Sequence, residues 1–280
     1  IQGVQLENGS LGNEPDLTEM IQMGTLDCAV VSDVGIDSVI GKLGWAWLPF
    51  MITDYEQADA FYHQGWIYDG LTEKMAEAGI VRIASTEVGL KVLANNKRSI
   101  GASDDIKGLR VRVAEVPNLM RFYELLGALP VALPHSATPQ AFANDEIDGL
   151  NTTFFHLKVQ GVLGDVRYIY KVHQQYDGGS IICSQSFWDS LSPQDQDLFA
   201  QCARIAGEHH RQNKRAAERE LEDWCRQSGQ YVITEPDRHS LNRFKEIART
   251  IWKEYETVYD PKMMEKAIRT FGYPSPDEEF

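Results

Sequence analysis

Two arginines, Arg110 and Arg112, alternate with Leu109, Val111 and Val113. Such alternation is the signature of a strand with one apolar face, so the two guanidiniums share the other face. A guanidinium is always charged and offers a planar fork that fits a carboxylate. Further along, Ile147-Asp148-Gly149-Leu150-Asn151-Thr152-Thr153-Phe154-Phe155 reads as a strand, then amides and hydroxyls, then two aromatics. Arg112 with Asn151 and Thr152 is therefore the leading candidate site, and the chemistry it offers is the holding of a small anion. The histidines offer less. His209 and His210 are adjacent on a helix, so they point about 100° apart and cannot ligate one metal as an i, i+4 pair would. There is no HExxH, no GxSxG elbow, no GxGxxG and no GxxxxGK[ST], and no CxxC spacing for zinc.

The elements that must position these residues follow from periodicity. Between the two strands lie an amphipathic helix, a short strand and a second helix, a βαβαβ pattern whose strand ends are where α/β proteins build ligand sites. Before it, a strand over 3–7 and an Asn8-Gly9-Ser10 turn precede a helix capped by Asn13. A buried strand, Asp27–Val31, ends at Ser32-Asp33. An aromatic segment, Trp45 to Phe50, reads as core packing. Asp54 caps a helix to about His63, and another runs to Ala78. Ile80–Ala84 is a strand closed by a turn at Thr86-Glu87-Val88-Gly89, and Leu90–Ala94 is a further strand carrying Lys91. After Phe155 come a helix, a strand over 166–172, a turn at Tyr176-Asp177-Gly178-Gly179 and a strand over 180–184. Ser192-Pro193 then starts one helix that continues to Gly229, long enough to cross a domain boundary. Two helices, from Arg238 and from Pro261, lead to an acidic tail.

The chain has 280 residues, 43% of them hydrophobic, a formal net charge of −14 and a pI near 4.9. That length supports two domains. The acidity argues against nucleic-acid partners and against anionic lipid, and says little about small ligands, because the local field decides. The most apolar run, Gly44–Ile52, is too short to span a membrane. No signal peptide is visible, and the absence of an initiator Met reads as a chain entered partway, with a processed or missing N-terminus. Cys28 and Cys183 fall in apolar strands and read as core. Cys202 and Cys225 share one helix about 35 Å apart, beyond disulfide reach.

Taken together, Asn8–Glu14, Gly24–Val31, Leu48-Pro49-Phe50, Asn95–Ile100, Asp105–Val113, Ile147-Asp148-Gly149 and Phe187-Trp188 before Leu191-Ser192-Pro193 resemble the periplasmic solute-binding subunit of tripartite ATP-independent periplasmic (TRAP) transporters. The resemblance spans nearly the whole chain. It implies an α/β, two-domain periplasmic-binding-protein-like fold, with a ligand cleft between domains, hinge strands and one long helix spanning both. It places 1–89 plus 178–217 in domain I and 90–177 plus 218–280 in domain II. It implies a receptor in the periplasm, secreted through a signal peptide not present in this chain. That receptor would bind a small organic acid and deliver it to membrane subunits, with no cofactor, metal or catalysis. One βα unit of the first domain, which precedes the piece matching 3–6 in such proteins, is expected to be missing.

Carried over by position, Arg112 matches the arginine that clamps the ligand carboxylate. Lys91 falls where many relatives carry a second arginine, Asn151 where the family often has Glu, and Thr152 where it often has Asn. Losing a carboxylate at Asn151 argues against metal-assisted ligand binding. Phe154 and Phe155 are candidate cleft walls. Ser32, Asp33, Glu87, Glu115, Asn118, Tyr176 and Asp177 are second-rank contacts by strand-end position. Two alternatives stand beside this reading. One is a soluble α/β enzyme acting on a carboxylate, with Arg112 as anchor and His135 or Glu87 as base. The other is a ligand-presenting sensor protein.

Overall fold

Alternating and helical hydrophobic periods convert here into two sheets joined by a shared helix. A computed structural model describes residues 4–5 and 10–276. Most of the expected opening strand, the Asn8-Gly9 turn and the last tail residues lie outside the described residues. The first part of the chain forms α1 (Glu14–Gln22), β1 (Cys28–Ser32), α2 (Asp33–Ile40), α3 (Tyr55–Gln57), α4 (Gly65–Glu77), β2 (Ile80–Leu90) and β3 (Val92–Asn95). The middle forms β4 (Arg110–Val113), α5 (Pro117–Leu125), β5 (Leu129–Ala132), α6 (Thr138–Ala143), β6 (Gly149–Thr152), α7 (Phe154–Val159) and β7 (Tyr168–Tyr170). The last part forms β8 (Tyr176–Ser184), α8 (Gln185–Ser190), α9 (Pro193–Ser228), β9 (Val232–Thr234), α10 (Arg238–Tyr255) and α11 (Pro261–Phe271).

The first sheet has the order β1-β8-β2, antiparallel throughout. The second has the order β5-β4-β6-β3-β7-β9. Its β5-β4-β6 part is parallel, as the βαβαβ pattern requires, so the carboxyl ends of those strands meet at one edge. The chain passes between sheets at three places. Lys91 alone separates β2 from β3, residues 171–175 separate β7 from β8, and α9 runs alongside both sheets. The first two crossings are joined, since Lys91 N–H donates to the Gln175 carbonyl at 2.9 Å. On the first unit, Gly207 of α9 lies so close to β2 that a Cβ there would strike the Ser85 carbonyl. On the second, Leu221 and Cys225 of α9 enter the core formed by Leu150, Phe154, Leu157 and Ile169.

Two expected turns are strand instead. Thr86–Gly89 continues β2 through register shifts, and Tyr176–Gly179 begins β8. The glycines there serve close approach and not chain reversal: a Cβ at Gly178 would strike the Tyr62 ring, and one at Gly179 would lie 2.5 Å from Thr86 Oγ1. The expected division also shifts at the C-terminus. The stretch 218–280 is expected in the second unit, and α10 does pack on α5 there. However, α11 returns to the first unit, with Phe271 edge-on to Phe61 at 5.0 Å and Asp260, its N-cap, paired with Lys74 at 2.9 Å. An apolar stripe on α11, Met263, Met264 and Ala267, decides the placement, because it is buried there. Trp45 and Trp47 are fully buried core.

Candidate functional site

Arg110 and Arg112 leave the same face of β4 and meet opposite fates. Arg110 is half-exposed and paired: its Nη2 reaches Asp148 at 2.7 Å and Asp145 at 2.9 Å. Against the pull of burial, that cation holds the Asp148 carboxyl down to about 2. Arg112 is 3% exposed, and its only hydrogen-bond acceptor among the described residues is the Leu133 carbonyl, 2.8 Å from Nε. No carboxylate pairs with it among those residues. Burial lowers its pKa to about 10, opposed by the charges of Glu14 and Asp177. A buried guanidinium without a counter-ion is costly, and the charge an arriving anion brings would offset that cost.

Three further elements bring polar groups to Arg112. Register places Arg112 beside Leu150, so Thr152 shares its face of the sheet and Asn151 takes the other. Thr152 Oγ1 is buried without a partner, whereas Asn151 donates to the Tyr123 hydroxyl at 3.1 Å. From the hinge, buried Lys91 pairs with Asp177 at 3.1 Å. Burial raises the Asp177 carboxyl to about 6, Lys91 opposing and Asp33 and Glu14 adding to the rise. From the first unit comes Glu14, the first residue of α1. It accepts from Ser32 N–H at 2.8 Å and Ser32 Oγ at 2.6 Å, which fastens the end of β1 to α1.

His135 and His156 complete the group, their rings stacked at 5.5 Å with a 25° tilt. The Gln160 amide donates to His135 Nδ1, which leaves the ring proton on Nε2. Thr153 Oγ1 accepts from His156 N–H at 3.3 Å and from Lys214 at 3.4 Å, so its own proton goes to His156 Nδ1 at 3.0 Å. That ring also carries its proton on Nε2. Burial holds both imidazoles well below the usual histidine range. Arg112, His156 and Lys91 add to this at His135; Lys214, Lys91, Arg112 and His210 add to it at His156. Lys214 is buried on the apolar stripe of α9, paired with Glu218 at 3.0 Å and 4.5 Å from the centre of the half-buried Phe155 ring. The arrangement gathers a guanidinium that no carboxylate among the described residues pairs, two neutral imidazoles and a buried hydroxyl without a partner, groups that suit an anion.

Several expected contacts are occupied elsewhere. Asp33 is fully buried and bound by Tyr62 at 2.9 Å, Ser180 and Arg82. Glu87 is mid-strand, accepting from Tyr176 at 2.9 Å and from Arg215 at 2.7 Å, with His63 at 3.6 Å. Burial pushes its carboxyl up, but His63 and Arg215 outweigh that and hold it below the usual range. Ser32 caps α2, Asn118 donates to the Gly44 carbonyl at 2.9 Å, Phe154 packs in the second core, and Glu115 is exposed. Sequence reasoning missed Glu14, His156 and Lys214, and considered His135 only as a base. For Lys214 a signal existed: it sits seven residues from both Gly207 and Leu221, on the buried face of α9.

A family model described as bacterial extracellular solute-binding protein, family 7 (DctP), matches residues 4–258. The sialic acid-binding periplasmic protein SiaP of Vibrio cholerae is 22% identical over 250 residues, spanning 89% of this chain and 76% of its own. The 2,3-diketo-L-gulonate-binding periplasmic protein YiaO of Escherichia coli is 22% identical over 246 residues, 84% of this chain and 71% of its own. Among solved structures, the sugar acid binding protein DctPAm of Advenella mimigardefordensis, in complex with galactonate, superposes with a TM-score of 0.88 at 20% identity, covering 94% of this chain and 84% of that one. A TRAP periplasmic solute binding protein of Haemophilus influenzae with bound L-gulonate gives 0.86 at 22% identity, covering 94% and 86%.

Proposed function

The chain belongs to family 7 of the bacterial extracellular solute-binding proteins, and from that premise we propose that it binds a small organic acid by its carboxylate at Arg112. On this reading it is the periplasmic receptor of a TRAP transporter and hands the acid to membrane subunits. The observation that carries the reading is Arg112 itself, buried at the meeting of parallel strand ends without a carboxylate partner among the described residues. The names of its relatives point to sugar acids and related carboxylates as the first class to test. On this reading the ligand is bound without turnover, which is supported by the commitment of Glu87, one of the two bases considered, to Arg215 and Tyr176. Among the described residues no helix is long and apolar enough to cross a membrane.

A thermal-shift screen over galactonate, galacturonate, gulonate, sialic acid, keto acids, aromatic acids and ectoine tests this. An acid at 100 times its dissociation constant should add about 2.7 kcal/mol of stability, or roughly 5–10 °C in Tm. Hits confined to neutral sugars or cations would reject the carboxylate reading.

Binding should tighten as pH falls. In the free protein His135 and His156 titrate below the usual 6.5 because burial and neighbouring cations oppose their charge. A bound anion reverses the sign of the local field, so each imidazole binds its proton more readily in the complex, and protons are taken up on binding. Asp177 acts in the same direction: protonation near pH 6 frees Lys91 from its partner. Affinity should therefore rise roughly 3–10-fold between pH 7.5 and 5.5. Calorimetry in buffers of different ionisation enthalpy reads the uptake directly, and the gain should shrink in His135→Gln and His156→Gln.

A further inference from the structure

We propose that Cys28 and Cys183 form a disulfide that staples the edge strand β1 to β8. The two residues are register partners across the antiparallel pair. Ser184 N–H donates to the Asp27 carbonyl at 3.0 Å, which makes 27/184 a hydrogen-bonded pair and 28/183 a non-hydrogen-bonded one. In such pairs the Cα atoms stand about 4.5 Å apart, within the roughly 4.4–6.8 Å range that a disulfide spans. The sulfurs are 2.8 Å apart, closer than two unbonded sulfur atoms settle and pointed at one another. Cys183 is buried and Cys28 half-buried, so Cys28 is the sulfur a reagent reaches first. The hydrogen bond from Cys183 also holds the Cys28 thiol below its usual range, which favours it as the attacking thiolate. Neither remaining cysteine has a comparable neighbour: Cys202 and Cys225 lie about 35 Å apart along α9.

The oxidant is a disulfide donor. Cys28 thiolate attacks one donor sulfur and expels the other as a thiolate, giving a mixed disulfide. Cys183 thiolate then attacks the Cys28 sulfur and expels the second donor thiolate. Two protein thiols become one disulfide, the donor disulfide becomes two thiols, and the two protons pass to the departing thiolates. The bond closes a loop across a sequence separation of 155 residues. It also steadies the site: β1 pairs only with β8 among the described residues, and its last residue, Ser32, is the one Glu14 grips. That the bond forms in the cell rests on the periplasmic reading above; the pairing does not.

The full chain, reduced and then exposed to oxidised glutathione, should be denatured and alkylated, with its thiols counted by mass spectrometry. Four thiols are expected before oxidation and two after, with peptide mapping joining the Cys28 and Cys183 peptides. Oxidation should raise Tm by on the order of 10 °C, and the double variant Cys28→Ala/Cys183→Ala should show no response to reductant. Four thiols after oxidation, or a link at any other cysteine, would overturn the pairing. Protein isolated from cells in the reduced form, yet closing on glutathione, would uphold the pairing and reject the periplasmic reading.

Discussion

Arg112→Ala weakens binding of the best acid from the screen by about 30- to 5,000-fold, the 2–5 kcal/mol typical of removing one member of a buried, hydrogen-bonded charge pair. The ligand-free protein should respond in the opposite sense. Among the described residues Arg112 is buried against a carbonyl and not against a carboxylate, so it costs the empty protein desolvation energy with no ion pair there to offset it. Arg112→Met, which keeps apolar bulk, should leave the ligand-free Tm unchanged or raised while binding is lost. Arg112→Lys keeps the charge and loses the fork, and should fall between. Titration calorimetry and thermal melts on the three variants separate the outcomes. An unchanged dissociation constant in the alanine variant removes Arg112 from the ligand. A large fall in ligand-free Tm would instead make it a structural residue.

Glu87→Ala should produce the largest loss of stability, about 3–5 kcal/mol. The side chain is fully buried and receives Arg215 through Nη2 and Nε, the Tyr176 hydroxyl, and His63 within 3.6 Å. Removing it takes the shared acceptor from Arg215 and Tyr176, although His63 and Tyr176 still reach one another at 2.6 Å, and among the described residues Arg215 retains the half-exposed Asp59 and the Tyr55 ring. Glu87→Gln preserves an acceptor for Tyr176 and should cost less than half as much. Because the carboxyl is held below its usual range, the stability it supplies is present above the unfolded value near 4.5 and is lost as pH falls through the lower folded value. The alanine variant should therefore show a flatter stability profile below pH 4.5 than the parent. Urea melts across that range measure both effects. A loss under about 1 kcal/mol would mean that the network is solvated and weak.

Much of the second sheet was legible in the chain. Alternation at Leu109–Val113 and the helical periods between Arg112 and Asn151 are local signals, and the parallel order β5-β4-β6 follows from their connectivity. The place of Arg112 on β4 was readable for the same reason, whereas its choice over Arg110 as a ligand contact came from the family resemblance. What could not be read is which side chains from elsewhere stand beside it. Glu14, His156 and Lys214 come from α1, α7 and α9, and only tertiary packing brings α1 and α9 near β4. The first sheet was misread at Glu87 and Tyr176 because Gly89, Gly178 and Gly179 carry the composition of turns. Two of these positions are places where Tyr62 and Thr86 approach the backbone, and no local pattern separates that cause from a reversal of the chain.

The long helix has a mechanical consequence. Its 36 residues extend about 54 Å, and it is fastened to the first unit by Arg211 on the Ser85 carbonyl and by Arg215 on Glu87. One residue before Arg215, Lys214 reaches Thr153 of the second unit, and Leu221 and Cys225 anchor the remainder there. Two bodies joined at Lys91, at 171–175 and along a continuous rod cannot slide past one another. They can turn only about the line of the two hydrogen-bonded crossings, and any turn must be taken up as curvature in the rod. Curvature lengthens helical hydrogen bonds on one side and costs energy that grows with the angle. On the proposed reading the helix would act as a leaf spring in parallel with the hinge, setting a restoring torque against which ligand contacts would hold the two units together and which would part them once those contacts are released.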